Sequence, residues 1–126
     1  MTTHDLNVIS TRIGQNIIVT LGNDLSGDVL AEVKRVALQD IHRHRAQAVI
    51  FEVSALQFID TYEFNELKNI VKMVEVLGAA AIFTGFKPAI VMYLIESNVD
   101  LNGIRACYGL DEALEHLATL QHVRDD

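Results

Sequence analysis

The sequence predicts an α/β domain built on a mixed-direction sheet of about five strands with four to five helices. Three observations carry this. Two short β-branched runs flank Gly14-Gln15, which reads as a hairpin and therefore as an antiparallel pair. Beyond them, apolar runs of strand length alternate with segments whose apolar residues recur at helical spacing. The single proline and several of the seven glycines fall at the junctions between these segments, where chain breakers belong.

The first pair is Val8 to Ile13 and Asn16 to Leu21, and Ile17-Ile18-Val19 suits a pleated, buried setting. Gly22 to Asp28 is a polar loop. It leads into a helix of about four turns that ends near His44. Val29, Leu30, Val33, Val36, Ala37 and Ile41 form its apolar stripe, with Glu32, Lys34, Arg35 and Arg43 toward solvent. Ala48 to Val53 is almost continuously apolar, as expected of a strand covered on both faces. After a turn through Ser54, Ala55 and Leu56, a helix from Thr61 to Leu77 buries Phe64, Leu67, Val71 and Val74, with Ile70 on the flank. Glu63, Glu66, Lys68, Lys72 and Glu75 take its polar side, and Gly78 occupies the C-cap region. Ala79 to Phe83 is the next buried strand. Pro88 fits the first position of a helix running to about Asn98. Asn102-Gly103 marks a turn, and Ile104 to Tyr108 is a short last strand. Asp111 to Leu120 is the last helix, with Asp111 and Glu112 in the first turn where the macrodipole favours acids. Gln121 to Asp126 is expected to be a frayed polar tail.

The 126 residues make one compact domain, its core at about 8–120 and its tail at 121–126. No apolar run approaches the ~18 residues needed to cross a membrane. The start, Met1-Thr2-Thr3-His4-Asp5, lacks the basic and apolar regions of a signal peptide. Cys107 is the one cysteine and has no internal partner, which fits a reducing cytoplasm. Ten basic residues stand against seventeen acidic ones, net −7, with no Lys/Arg cluster. Nucleic-acid binding by phosphate neutralisation is not expected, and a protein partner is.

Enzyme motifs are absent: no phosphate-binding G-x-x-x-x-G-K-[ST], no G-x-G-x-x-G, no H-E-x-x-H, no G-x-S-x-G. No catalytic residue, cofactor or metal is predicted. His42 and His44 lie two apart on a helix and point to different faces, without a third ligand. His4, His116 and His122 read as surface residues. Cys107 has no nucleophile signature around it and reads as a structural thiol. Asp60 with Glu63 reads as a pair of helix-start carboxylates rather than an acid/base pair.

What remains is the corner Phe58-Ile59-Asp60-Thr61-Tyr62-Glu63-Phe64 between a strand and a long helix. In open α/β sheets such corners carry ligand or partner chemistry. Asp60 and Thr61 are both capping types, and Glu63 lies at capping-box distance from Asp60. Taken locally, the corner is a well-capped helix start. A phosphorylated hydroxyl is compatible with it, since a helix N-terminus offers N–H groups and positive potential to an anion.

Val49-Ile50-Phe51-Glu52-Val53 leading to Phe58-Ile59-Asp60-Thr61 resembles the phosphorylation corner of STAS domains, the fold of anti-sigma-factor antagonists. Leu77-Gly78-Ala79 leads into Ile82-Phe83-Thr84-Gly85-Phe86-Lys87-Pro88-Ala89, which is similar to the Leu-Thr-Gly-x-x-Pro-Ala signature of the stressosome branch. Leu94-Ile95-Glu96 and Asp100-Leu101 also fit that branch. The resemblance covers roughly residues 8–120. It implies the STAS topology, and Thr61 as the hydroxyl that a partner kinase phosphorylates. Ser26 aligns with a loop position that is Thr in the larger, sensor-bearing paralogues and Asp in the small scaffold ones. It is a helix N-cap, a loop hydroxyl or a second modified site.

The short lead before the first strand has no room for a sensor domain, so the resemblance is to the small single-domain scaffold, the RsbS type. That scaffold carries Ser where this chain has Thr61. The resemblance implies a non-enzymatic cytoplasmic protein that co-assembles, with itself and with sensor-bearing paralogues of the RsbR type. It would sequester a serine/threonine kinase of the RsbT type at Asp60, Thr61, Tyr62 and Glu63, and release it on phosphorylation, in a stress response. The alternative within the family is an antagonist binding an anti-sigma kinase one-to-one. The alternative of another class is a lipid or small-molecule binding module, because STAS-like domains also serve transporters.

Overall fold

The computed structural model describes residues 8–125, with side chains to residue 121. The expectations for the first five residues, His4 included, and for the His122 side chain lie outside the described residues. Nine elements follow in chain order: β1 (Val8–Ile13), β2 (Asn16–Leu21), α1 (Val29–His44), β3 (Ala48–Glu52), α2 (Thr61–Val76), β4 (Ala80–Thr84), α3 (Pro88–Glu96), β5 (Ala106–Cys107) and α4 (Leu110–Asp125). The strands form one sheet in the order β1-β2-β3-β4-β5. The β1–β2 pair is antiparallel, turning through Gly14 at φ 60°, and the other pairs are parallel. This is the mixed α/β sheet that the sequence predicts.

Alternation along the central strands sends successive side chains to opposite faces. Ile17, Val19, Leu21, Val49, Phe51, Ala81 and Phe83 pack under α1, α2 and α3. Ile18, Ala48, Ile50 and Ile82 pack under Ala113 and Leu117 of α4. A strand covered on both sides has no polar face to present, which is why β3 reads as a continuous apolar run. Phe83 anchors the larger core, its ring 5.3 Å from that of Phe51 and 5.2 Å from that of Phe86. Ile70, expected on the flank of α2, is buried with the rest of the stripe.

Element ends differ from expectation in instructive places. β4 begins at Ala80 and ends at Thr84, because the register with β3 pairs Glu52 with Thr84. α3 stops at Glu96, where Asn98 takes a left-handed φ of 59°. The last strand is two residues, not five, since only Ala106 and Cys107 keep the ladder to β4. α4 overruns the expected tail and continues to Asp125. No glycine or proline follows Leu120 to stop it, and the Gln121 amide donates to Asn16 Oδ1 at 3.0 Å.

Because β2, β3 and β4 run parallel, their following loops gather at one end of the sheet. Residues 22–28, 53–60 and 85–87 therefore meet.

Candidate functional site

The loop from β3 to α2 is held at both ends by buried apolar residues. Leu56 and Ile59 are fully buried, while Phe58 between them is 55% exposed and packs its ring 5.4 Å from that of Tyr93. The neighbouring loops complete the hold. Gln57 N donates to Asn23 O at 3.0 Å, and Val53 N donates to Thr84 O at 2.9 Å. Lys87 reaches back from the third loop and donates to the carbonyls of Ser54 and, at 2.9 Å, Leu56. Glu52 accepts from Ser54 Oγ at 2.7 Å and from Thr84 Oγ1 at 3.4 Å.

At Gly85 the backbone is at φ +89°, and a Cβ would stand 2.8 Å from Glu52 Oε2 and 2.9 Å from Ser54 Cβ. Only glycine fits this approach. Sequence reasoning quoted Thr84-Gly85-x-x-Pro88 as a signature but gave Lys87 and Glu52 no role. Lys87 stands at an open position of that signature, so its role becomes visible only in the fold.

Asp60 is extended (φ −91°, ψ 174°) and is the N-cap of α2. Its Oδ1 accepts from Glu63 N at 2.7 Å, and Glu63 Oε1 accepts from Asp60 N at 3.1 Å. The capping box is complete, so both carboxylates are engaged in structure. Thr61 is the first helical residue and does not cap. The extended geometry belongs to Asp60, one position earlier. Thr61 is half-buried, and its hydroxyl has no hydrogen-bond partner among the described residues. Tyr62 is 68% exposed.

Ser26 does not cap α1, whose N-cap is Asp28. It is an exposed loop residue whose Oγ donates to Asp24 Oδ1 at 2.8 Å. Gly27, beside Ser26, lines a hollow of about 280 Å³ between α1 and α2 together with Tyr62. The structure thus brings the Ser26 loop and the Thr61 corner to one end. Asp24, Asp28, Glu52, Asp60 and Glu63 all belong to the loops or element ends on this side of the sheet, and Lys87 donates to two loop carbonyls.

The other candidates do not assemble. Among the described residues no group of three or more His, Cys, Asp or Glu could hold a metal. His44 Nδ1 sits 3.0 Å from an Arg12 nitrogen, on a different face from the exposed His42. Cys107 is half-buried, and burial with the nearby Glu112 carboxylate pushes its thiol pKa up, opposite to what a nucleophile requires. The apolar hollow lined by Phe64, Phe86, Leu94 and Ile104 measures about 170 Å³, below the ~300 Å³ of ordinary ligand pockets. No helix is long and apolar enough to cross a membrane among the described residues.

No family model matches the chain, and no curated protein matches it. Solved structures do. RsbS from Moorella thermoacetica, in a Ser-to-Glu variant, superposes with a TM-score of 0.78 at 25% identity, covering 91% of this chain and 97% of that one. The chain has the STAS fold. A structure describing the molecular architecture of the stressosome matches this STAS domain with a TM-score of 0.77 at 25% identity, over 90% of this chain and 98% of that one. The anti-sigma-factor antagonist SpoIIAA in its unphosphorylated form shares the fold at 12% identity, with a TM-score of 0.70 over 89% of this chain and 96% of that one. The resemblance to the stressosome branch, and within it to RsbS, therefore holds for the folded STAS domain as well as for its motifs.

Proposed function

We propose that this STAS domain is a non-enzymatic signalling scaffold of the stressosome, cytoplasmic, which docks a serine/threonine kinase of the RsbT type on its Thr61 corner. Phosphorylation of Thr61 releases the kinase and so regulates a stress response. Sensor-bearing paralogues of the RsbR type share the assembly. The observation that carries this is the state of Thr61: a half-buried hydroxyl without a partner among the described residues, one residue past the N-cap Asp60 and inside a complete capping box. The neighbouring carboxylates are occupied by backbone N–H groups, whereas the Thr61 hydroxyl is uncommitted among the described residues.

The physical effect of a phosphate there favours release. It brings about −1.5 to −2 charge at pH 7. The helix dipole returns only ~0.3–1 kcal/mol. Asp60 and Glu63 flank it on a chain of net charge −7. A partner that buries the corner must then desolvate a dianion beside two carboxylates, at a cost of several kcal/mol. Each ~1.4 kcal/mol is tenfold in affinity, so a hundredfold switch is within reach. Phe58 and Tyr62 supply the exposed aromatic contact that protein interfaces favour.

Incubation with a serine/threonine kinase of the proposed RsbT type, followed by phosphosite mapping, tests the reading. It expects phosphate on Thr61 and loss of acceptance in Thr61→Val. Acceptance at Ser26 alone would move the switch to the neighbouring loop, and no acceptance at all would end the proposal.

A further inference from the structure

α3 has the composition of an interior helix. From Pro88 to Glu96 only Glu96 is charged. A helix that is apolar on every side is normally covered on every side. Here Ile90 and Leu94 are buried in the core, but Met92 is 60% exposed and Ile95 58%, with Pro88 and Ala89 exposed as well. Pro88, Met92 and Ile95 stand at i, i+4 and i+7, which puts them on one stripe of the helix surface. The outer face of α3 is therefore apolar and open.

This face joins the Thr61 corner. Tyr93, half-buried and next to Met92 in sequence, holds its ring 5.4 Å from that of Phe58 in the loop before α2. Lys87, the residue before α3, donates to the carbonyls of Ser54 and Leu56 in the same loop. The start of α3 and the start of α2 are thus tied into one surface, on which Phe58 and Tyr62 are exposed.

The footprint of a partner on Thr61 must exceed the corner itself. A stable protein contact buries about 800 Å² on each side. Phe58 and Tyr62 supply about 150–250 Å² each at most. The contact therefore spreads to a neighbouring surface, and two adjoin. Toward α1, the hollow beside Tyr62 is lined by Lys34, Glu66 and Asn69. Toward α3, no charge intervenes before Glu96, and Lys87 is committed to carbonyls. The centres of protein interfaces are depleted of charge and rich in aromatic side chains and Met, which favours the α3 side. With its one nearby ammonium committed, the face gives no hold to an anionic lipid or an acidic peptide. It fits an aliphatic or aromatic protein surface.

We propose that the outer face of α3, with Pro88, Met92 and Ile95 continued by Phe58, is the platform on which the kinase docks, and that the kinase meets it with an uncharged apolar surface. This rests on the kinase reading above and extends it beyond the four residues at the start of α2. Docking and switching are then separate functions of adjoining surfaces. The α3 platform supplies affinity that salt and phosphate leave unchanged, and a phosphate on Thr61 opposes it.

Phosphorylation kinetics of the full chain with a serine/threonine kinase of the RsbT type, with calorimetric binding alongside, test this. The pair Met92→Ser with Ile95→Ser should raise KM and weaken binding about tenfold or more, and leave kcat as it is. That ratio should persist at high salt, because no ion pair is lost. Both positions are exposed, so thermal melts should match the wild type. Val76, 86% exposed at the far end of α2, provides the control: Val76→Ser removes an exposed apolar side chain away from the corner and should change neither KM nor affinity. Wild-type KM and affinity in the paired variant, or an equal loss in Val76→Ser, would overturn the inference and leave the Thr61 reading standing. A wild type that the kinase neither binds nor phosphorylates would end that reading and this inference with it. A paired variant that keeps its kinase affinity but sediments at lower mass than the wild type would also overturn the inference, and would give the face to a second copy.

Discussion

Lys87 donates to the carbonyl of Leu56 at 2.9 Å, tying the loop before α3 to the loop before α2 across 31 residues of sequence. The same ammonium holds the carbonyl of Ser54. The Thr61 corner is thus positioned by a residue outside it. The ammonium is committed to two carbonyls and forms no ion pair with a carboxylate among the described residues.

Replacing Lys87 by Met keeps the aliphatic stem and removes the donor. Two carbonyls then lose a charged partner. The expected loss of stability is about 1–3 kcal/mol. Urea denaturation measures it, and Lys87→Arg should recover part. Amide exchange in residues 54–60 should rise in Lys87→Met while exchange in α4 stays as it is.

Gly85 and Gly78 make a matched pair. Both have positive φ, +89° and +93°, but a Cβ at Gly78 meets nothing within 4 Å, whereas at Gly85 it meets Glu52 and Ser54. Gly78→Ala should cost only the backbone strain, about 1–2 kcal/mol. Gly85→Ala adds overpacking, for about 2–4 kcal/mol in total. Equal losses in the two melts would contradict the close approach of the loops.

Asp60→Ala removes the side chain that caps Glu63 N and should cost about 0.5–2 kcal/mol. Asp60→Asn should cost less, because an amide oxygen also caps. The change is expected to fray the first turn of α2, detectable as faster amide exchange at Glu63 and Phe64. It should also slow the proposed phosphorylation at Thr61, which lies in that turn.

Much of this was legible in sequence, and for identifiable reasons. The β-branched run in β2, the unbroken apolar run of β3 and the helical stripe of α2 are local patterns that tertiary packing then satisfies. The capping box was visible as Asp60 with Glu63, because its bonds span three residues. What escaped was non-local. Nothing in the sequence near Ser54 announces that Lys87 will hold it. The role of Gly85 depends on Glu52 standing opposite in a parallel register. Thr61 and Asp60 were both plausible caps, and only the backbone dihedrals at Asp60 separate them. The end of α4 was placed early because a polar sequence resembles a tail, whereas Gln121 finds Asn16 across 105 residues. The exposed Val76 was hidden within a good helical pattern, since periodicity does not reveal which flank lacks a neighbour.

Charge at Thr61 is proposed to govern docking of the kinase. Isothermal titration calorimetry of the kinase against unmodified and Thr61-phosphorylated protein addresses this directly. Affinity is expected to fall at least about tenfold on phosphorylation, with Thr61→Glu reproducing part of the loss and Thr61→Ser none of it. Equal affinity for the unmodified and phosphorylated forms would contradict it.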